Sequence, residues 1–113
     1  MEDELPVAKW NERILFFLGR RHAFLVSGNS MSPTLSDGDA VLIKPVKAAK
    51  SGDLILASHP YKSNVKILKR VGEISDSGQM TLIGDNPSES TDSRSFGSIS
   101  SKHLIGKVVC RLK

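Results

Sequence analysis

Along this chain, apolar positions come in short runs separated by turn-forming residues. Between Pro6 and Leu18, Trp10, Ile14, Phe17 and Leu18 recur at near-helical spacing, which predicts a short amphipathic helix. Its apolar face is expected to pack on the body of the domain. From Ala23 onward the period shortens. Ala23 to Val26 reads as a strand, as does Asp39 to Lys44, which Pro45 ends. Leu54 to Ser58, Met80 to Ile83 and Leu104 to Leu112 are further strands. Val65 to Val71 alternates, with Val65, Ile67, Lys69 and Val71 on one face and Lys66, Leu68 and Arg70 on the other. Short strands with frequent turn signals predict a mainly β fold. It should be a single small antiparallel β domain, either a sandwich or a partly closed barrel, with a short N-terminal helix. Residues 1–22 read as an N-terminal extension and residues 23–113 as the β core.

Three places break this pattern. The stretch Gly28 to Asp39 mixes hydroxyls, glycines, acids and Pro33 around Met31, so it is a shaped loop and neither a helix interior nor a central strand. Lys69 falls on an otherwise apolar strand face. A lysine there either snorkels at a strand end, the commoner case, or stands inside an apolar site. Gly84 to Ser100 is a long polar connection, and loops beyond about 12 residues are functional or disordered. Phe96 and Ile99 argue for order.

Composition narrows the function classes. The 113 residues carry a net charge of +4. That is mildly basic, without the dense basic field of a nucleic-acid binder. The single cysteine, Cys110, excludes an intrachain disulfide and reads as a buried thiol. His22, His59 and His103 show no metal-ligand spacing, and neither a metal nor a cofactor is expected. The apolar run Ile14 to Leu18 falls far short of the roughly 20 residues that a membrane span needs. Peripheral membrane contact through Trp10 to Leu18 stays open.

Chemistry enters with the loop and the lysine. A serine hydroxyl is a weak nucleophile and needs a base. No histidine here has the setting of a Ser-His-Asp set. A lysine serves if it is neutral, which burial among apolar side chains favours. Lowering its ordinary pKa of about 10.4 by ~2 units costs ~2.7 kcal/mol against the charged form. Ser30 is thus a candidate nucleophile and Lys69 a candidate base.

Three blocks then resemble the type I signal peptidase family of Ser-Lys proteases. Ser27-Gly-Asn-Ser-Met-Ser-Pro-Thr-Leu35, with Gly38-Asp39 after it, is similar to the family's nucleophile box, where the Ser before Met attacks. Lys69-Arg70-Val71-Gly72 is similar to the general-base box. Gly84-Asp85-Asn86 through Ser90-Thr-Asp92-Ser-Arg94-Ser-Phe-Gly97 is similar to the last box. The resemblance implies catalysis by Ser30 and Lys69, with Ser90 orienting the lysine and Asp92 and Arg94 bracing the site. It implies an oxyanion and substrate-binding region at Gly28, Asn29, Met31 and Pro33. Some members place a side-chain hydroxyl at the Gly28 position, so the oxyanion would here rest on backbone N–H groups, chiefly that of Ser30.

The chain departs from full-size members in showing no membrane anchor and no large extra β domain. Within the family it is most similar to small peptidases that mature nickel-type superoxide dismutase. That implies a bacterial cytoplasmic serine endopeptidase that trims a short propeptide, bound as an extended strand, from a precursor protein. The alternatives are a peptidase processing signal peptides at a membrane, a LexA-like self-cleaving domain, and an inactive β-domain binding module.

Overall fold

A computed structural model describes residues 5–62, 64–86 and 97–112. It holds one short helix, α1 (Trp10–Phe17), and six strands: β1 (His22–Leu25), β2 (Ala40–Pro45), β3 (Leu54–Ser58), β4 (Lys66–Ile74), β5 (Met80–Ile83) and β6 (Leu104–Arg111). A 3-10 turn, Ser101–His103, leads into β6. The strands form one antiparallel sheet in the order β1-β2-β6-β3-β4-β5, so it is not closed into a barrel.

Strand β3 explains the centre of this sheet. Leu54-Ile-Leu-Ala57 is apolar at every position, and all four residues are buried. Leu54 and Leu56 join one core cluster with Val41, Ile43, Leu68 and Val108. Ile55 and Ala57 join the opposite one with Val71, Met80, Leu82 and Ile99. A strand buried on both faces shows a continuous apolar run, not an alternating one. Next to it, β6 keeps Gly106 because of close packing. A Cβ there would stand 2.5 Å from Ile43 Cγ2 and 2.7 Å from the Lys44 carbonyl oxygen. Register shifts within the β2–β6, β3–β6 and β4–β5 pairs add local twist and help the sheet to curl.

The helix departs from expectation. None of its residues is buried, and Trp10 and Phe17 are 77% and 90% exposed. The polar side is the one that engages the body. Glu12 pairs with Arg21 at 2.8 Å, and Arg13 donates to the carbonyls of Ala8 and Leu112. Among the described residues, no helix is long and apolar enough to cross a membrane. Cys110 is buried beside Leu42 and Ala8, and burial pushes its thiol up from the ordinary value.

Strand β4 runs to Ile74, three residues past Val71, where the expected strand stopped. Its alternation holds in part. Ile67 and Val71 face the second cluster, whereas Val65 precedes the strand and is exposed. Lys69 lies mid-strand and is 5% exposed, so it is not a snorkelling end residue.

Candidate active site

The loop between β1 and β2 is shaped by its acids. The main chain closes at the loop's base, where the Val26 N–H donates to the Asp39 carbonyl and the Gly38 N–H to the Val26 carbonyl. Asp37 Oδ1 accepts from the Gly28 N–H at 2.7 Å, and Asp39 Oδ2 accepts from the Ser36 N–H at 2.8 Å. Gly28 takes φ +82°, a conformation that only glycine adopts readily. The apolar residues of the loop, Met31 and Leu35, are fully buried in the first core cluster. The Leu35 N–H donates back to the Met31 carbonyl at 3.0 Å. Ser30 is thereby presented one residue before a buried anchor.

Ser30 opens onto a cleft of about 230 Å³. One wall is Phe24, Val26 and Ser27, at the end of β1. The loop contributes Ser30 and Met31, and the opposite wall is Lys66 to Lys69 of β4. In the order of strands β1 and β4 are far apart, and it is the curl of the sheet that brings them across one cleft. The candidate nucleophile and the candidate base therefore line the same space. Lys69 is the one buried charged residue type among the described residues.

A second set of contacts ties the three sequence blocks together. Arg70, beside Lys69, grips Asp85 with both arms, Nε to Oδ1 at 2.9 Å and Nη2 to Oδ2 at 2.8 Å. Its Nη1 donates to the Gly52 carbonyl at 2.9 Å. Thr34 Oγ donates to Asp85 Oδ2 at 2.6 Å. Asn86 then holds the nucleophile loop directly. Its N–H donates to the Ser30 carbonyl at 2.8 Å and its Nδ2 to the Asn29 carbonyl at 3.0 Å. Burial pushes the Asp85 carboxyl up, but hydrogen bonds from Arg70 and Thr34, with the Arg70 charge, outweigh it. The net result lies below the ordinary 3.8. Sequence reasoning quoted these residues inside the blocks but gave them no role. The signal was the Gly-Asp-Asn opening of the third block and an arginine directly after the candidate base.

Of the other candidates, Met31 lines the cleft, while Gly28, Asn29 and Pro33 are not among the described residues lining it. The Gly28 N–H is taken by Asp37. Among the described residues the Ser30 N–H has no hydrogen-bond partner, which leaves it available to an incoming oxygen. Ser90, Asp92 and Arg94 lie outside the described residues.

Among the described residues, the β4 wall also has an open edge. β5 pairs with β4 only from Arg70 onward, while β3 covers the other side of Lys66 to Arg70. The Val71 N–H and carbonyl point to Asp53 and Gly52 on the β3 side. Strand alternation then turns the N–H and carbonyl of Leu68 and Lys66 toward the open side. β1 is itself the edge strand at the other end of the sheet.

Residues 8–109 match the family described as Peptidase S24-like. The chain is 32% identical over 111 residues to mitochondrial inner membrane protease subunit 1 of Xenopus tropicalis, an alignment covering 78% of this chain and 66% of that protein. It is 28% identical over 128 residues to the subunit of the same name in Schizosaccharomyces pombe, covering 88% of this chain and 82% of the relative. The chain thus spans just under two thirds of the frog protein's length.

Proposed function

Given that the chain belongs to the Peptidase S24-like family, we propose that it is a serine endopeptidase working through Ser30 and Lys69. The observation that carries this is the shared cleft, where Ser30 faces a wall that contains a buried lysine. Burial disfavours the ammonium form and so favours a lysine able to accept a proton. In the proposed reaction the neutral Lys69 amine takes the Ser30 hydroxyl proton as Oγ attacks the scissile carbonyl. The carbonyl electron pair moves onto oxygen, which the Ser30 N–H receives. Such a donor is worth ~3 kcal/mol in the transition state. The C–N bond then breaks, and the Lys69 ammonium returns the proton to the leaving amine. Water, deprotonated by Lys69, attacks the resulting ester, the bond from the acyl carbon to Oγ breaks, and the Lys69 ammonium returns the proton to Ser30 Oγ.

The substrate is read as an extended segment lying along the open edge at Lys66 and Leu68, bound as an added strand. Apolar walls at Phe24, Val26, Met31 and Leu68 favour small apolar side chains beside the cleavage point. A precursor with a short N-terminal propeptide fits this mode. Nickel superoxide dismutase precursor, processed in the cytoplasm, is the first candidate, on the strength of the Gly84 to Gly97 motif. The exposed apolar side of α1, together with relatives named for an inner membrane, favours as a second reading the same chemistry on signal peptides at a membrane surface.

The test is to incubate the wild-type protein and its Ser30→Ala variant with each precursor and read new N-termini by mass spectrometry. Cleavage of the dismutase precursor at one site, absent in the variant, is expected. Cleavage of the signal-peptide precursor alone would favour the second reading. Cleavage of neither by the wild type would overturn both.

A further inference from the structure

We propose that Lys66 is a specificity-determining residue that selects substrates with an aspartate or glutamate about three residues from the scissile bond. This rests on the peptidase reading of the cleft and adds a charge requirement to it. Lys66 begins β4 and lines the cleft with its exposed side chain. The rest of the lining is apolar or hydroxyl-bearing, apart from Lys69, and includes no carboxylate among the described residues. Among the described residues the Lys66 side chain has no hydrogen-bond or ion-pair partner, whereas Arg21, Arg70 and Lys107 each pair with an acid. A surface lysine is ordinarily just solvated. This one differs in its place, because its own main chain is turned to the open edge that a substrate strand would occupy.

Distance and direction follow from strand geometry. Lys66 lies three positions before Lys69, which at about 3.3 Å per residue puts it roughly 10 Å along the strand from the proposed base. A substrate strand paired there advances at the same rise, so its third residue from the cleavage point comes opposite Lys66. Directly opposed side chains on neighbouring strands come within about 5 Å at Cβ, close enough for an amine and a carboxylate to pair. Cross-strand ion pairs of this kind change binding by about two- to fivefold. A basic residue at that substrate position would meet the Lys66 charge and be disfavoured.

The experiment uses a library of peptides from a digested proteome, cut by the wild-type protein, Lys66→Gln and Lys66→Glu, with the cleavage windows read by mass spectrometry. For one wild-type site, kcat/KM is then measured for the acidic peptide and for its Gln counterpart. Wild-type sites should be enriched in Asp or Glu at one position about three residues from the bond, and the acidic-to-Gln ratio of kcat/KM should be about two- to fivefold. Lys66→Gln should bring that ratio to about one, and Lys66→Glu should turn the preference to Lys or Arg at the same position. Identical windows for all three proteins would overturn the role of Lys66 while leaving the peptidase intact. A wild-type protein that cuts no peptide would remove the peptidase reading itself, and with it this one.

Discussion

Asp85 receives two hydrogen bonds from Arg70 and one from Thr34. It therefore joins the strand of Lys69 to the loop of Ser30 through a single carboxylate. Its pKa is lowered on folding, so the native state favours the ionised form. That contribution is present in full above the ordinary carboxylate value of 3.8 and is lost as pH falls through the lower folded value. Charge-assisted bonds are worth ~1.5–3 kcal/mol, and partial exposure of this pair brings the figure toward ~1. Asp85→Asn should cost about 1 kcal/mol in urea unfolding at pH 7, with the difference from wild type shrinking toward pH 2. A difference that stays constant across that range would show that the charge is not what Asp85 contributes. Sequence pattern placed Lys69 on an apolar face but could not choose between a strand end and an interior. The choice depended on β4 continuing through Gly72 and Glu73, which local propensity does not favour. Asp85 was less legible still. Its partners come from Thr34 and Arg70, far from it in sequence, and no local rule connects them.

At the scale of elements, the strands and the short helix were legible, but the side on which the helix packs was not. Trp10, Ile14, Phe17 and Leu18 have the spacing of a core-facing stripe, yet all four are exposed. The reason lies in Glu12 and Arg13, whose bonds to Arg21 and to the carbonyls of Ala8 and Leu112 fix the helix with its polar side inward. Periodicity reports that a helix has two sides; it does not report which side has partners. Phe17→Ser should consequently change stability by no more than about 0.5 kcal/mol, as at other exposed sites. Gly106→Ala should cost about 1–3 kcal/mol, since the new Cβ overlaps Ile43 and the Lys44 carbonyl. Urea midpoints of the two variants test both statements, and a reversed order would contradict the packing described for β2 and β6.

At the scale of the molecule, the sheet acts as a curled frame that brings its first strand and its fifth-placed strand across one cleft. The mainly β antiparallel class was readable from strand length and turn spacing; the open curl was not, because it depends on register shifts that sequence does not display. The three blocks were readable as chemistry before any fold was known. Their convergence required the sheet, and the part of the third block that holds Ser90, Asp92 and Arg94 lies outside the described residues. The central claim is that Lys69 is the base for Ser30. The direct measurement is the cleavage rate of a precursor by Lys69→Met, which keeps the length of the side chain without the amine, against wild type over a range of pH. The variant should lose about 10²–10⁴-fold or more in kcat/KM. The wild-type rate should rise with pH through one ionisation below the ordinary lysine value of about 10.4, and that limb should be absent from any residual activity of the variant. A folded Lys69→Met protein that cleaves at the wild-type rate would contradict the assignment.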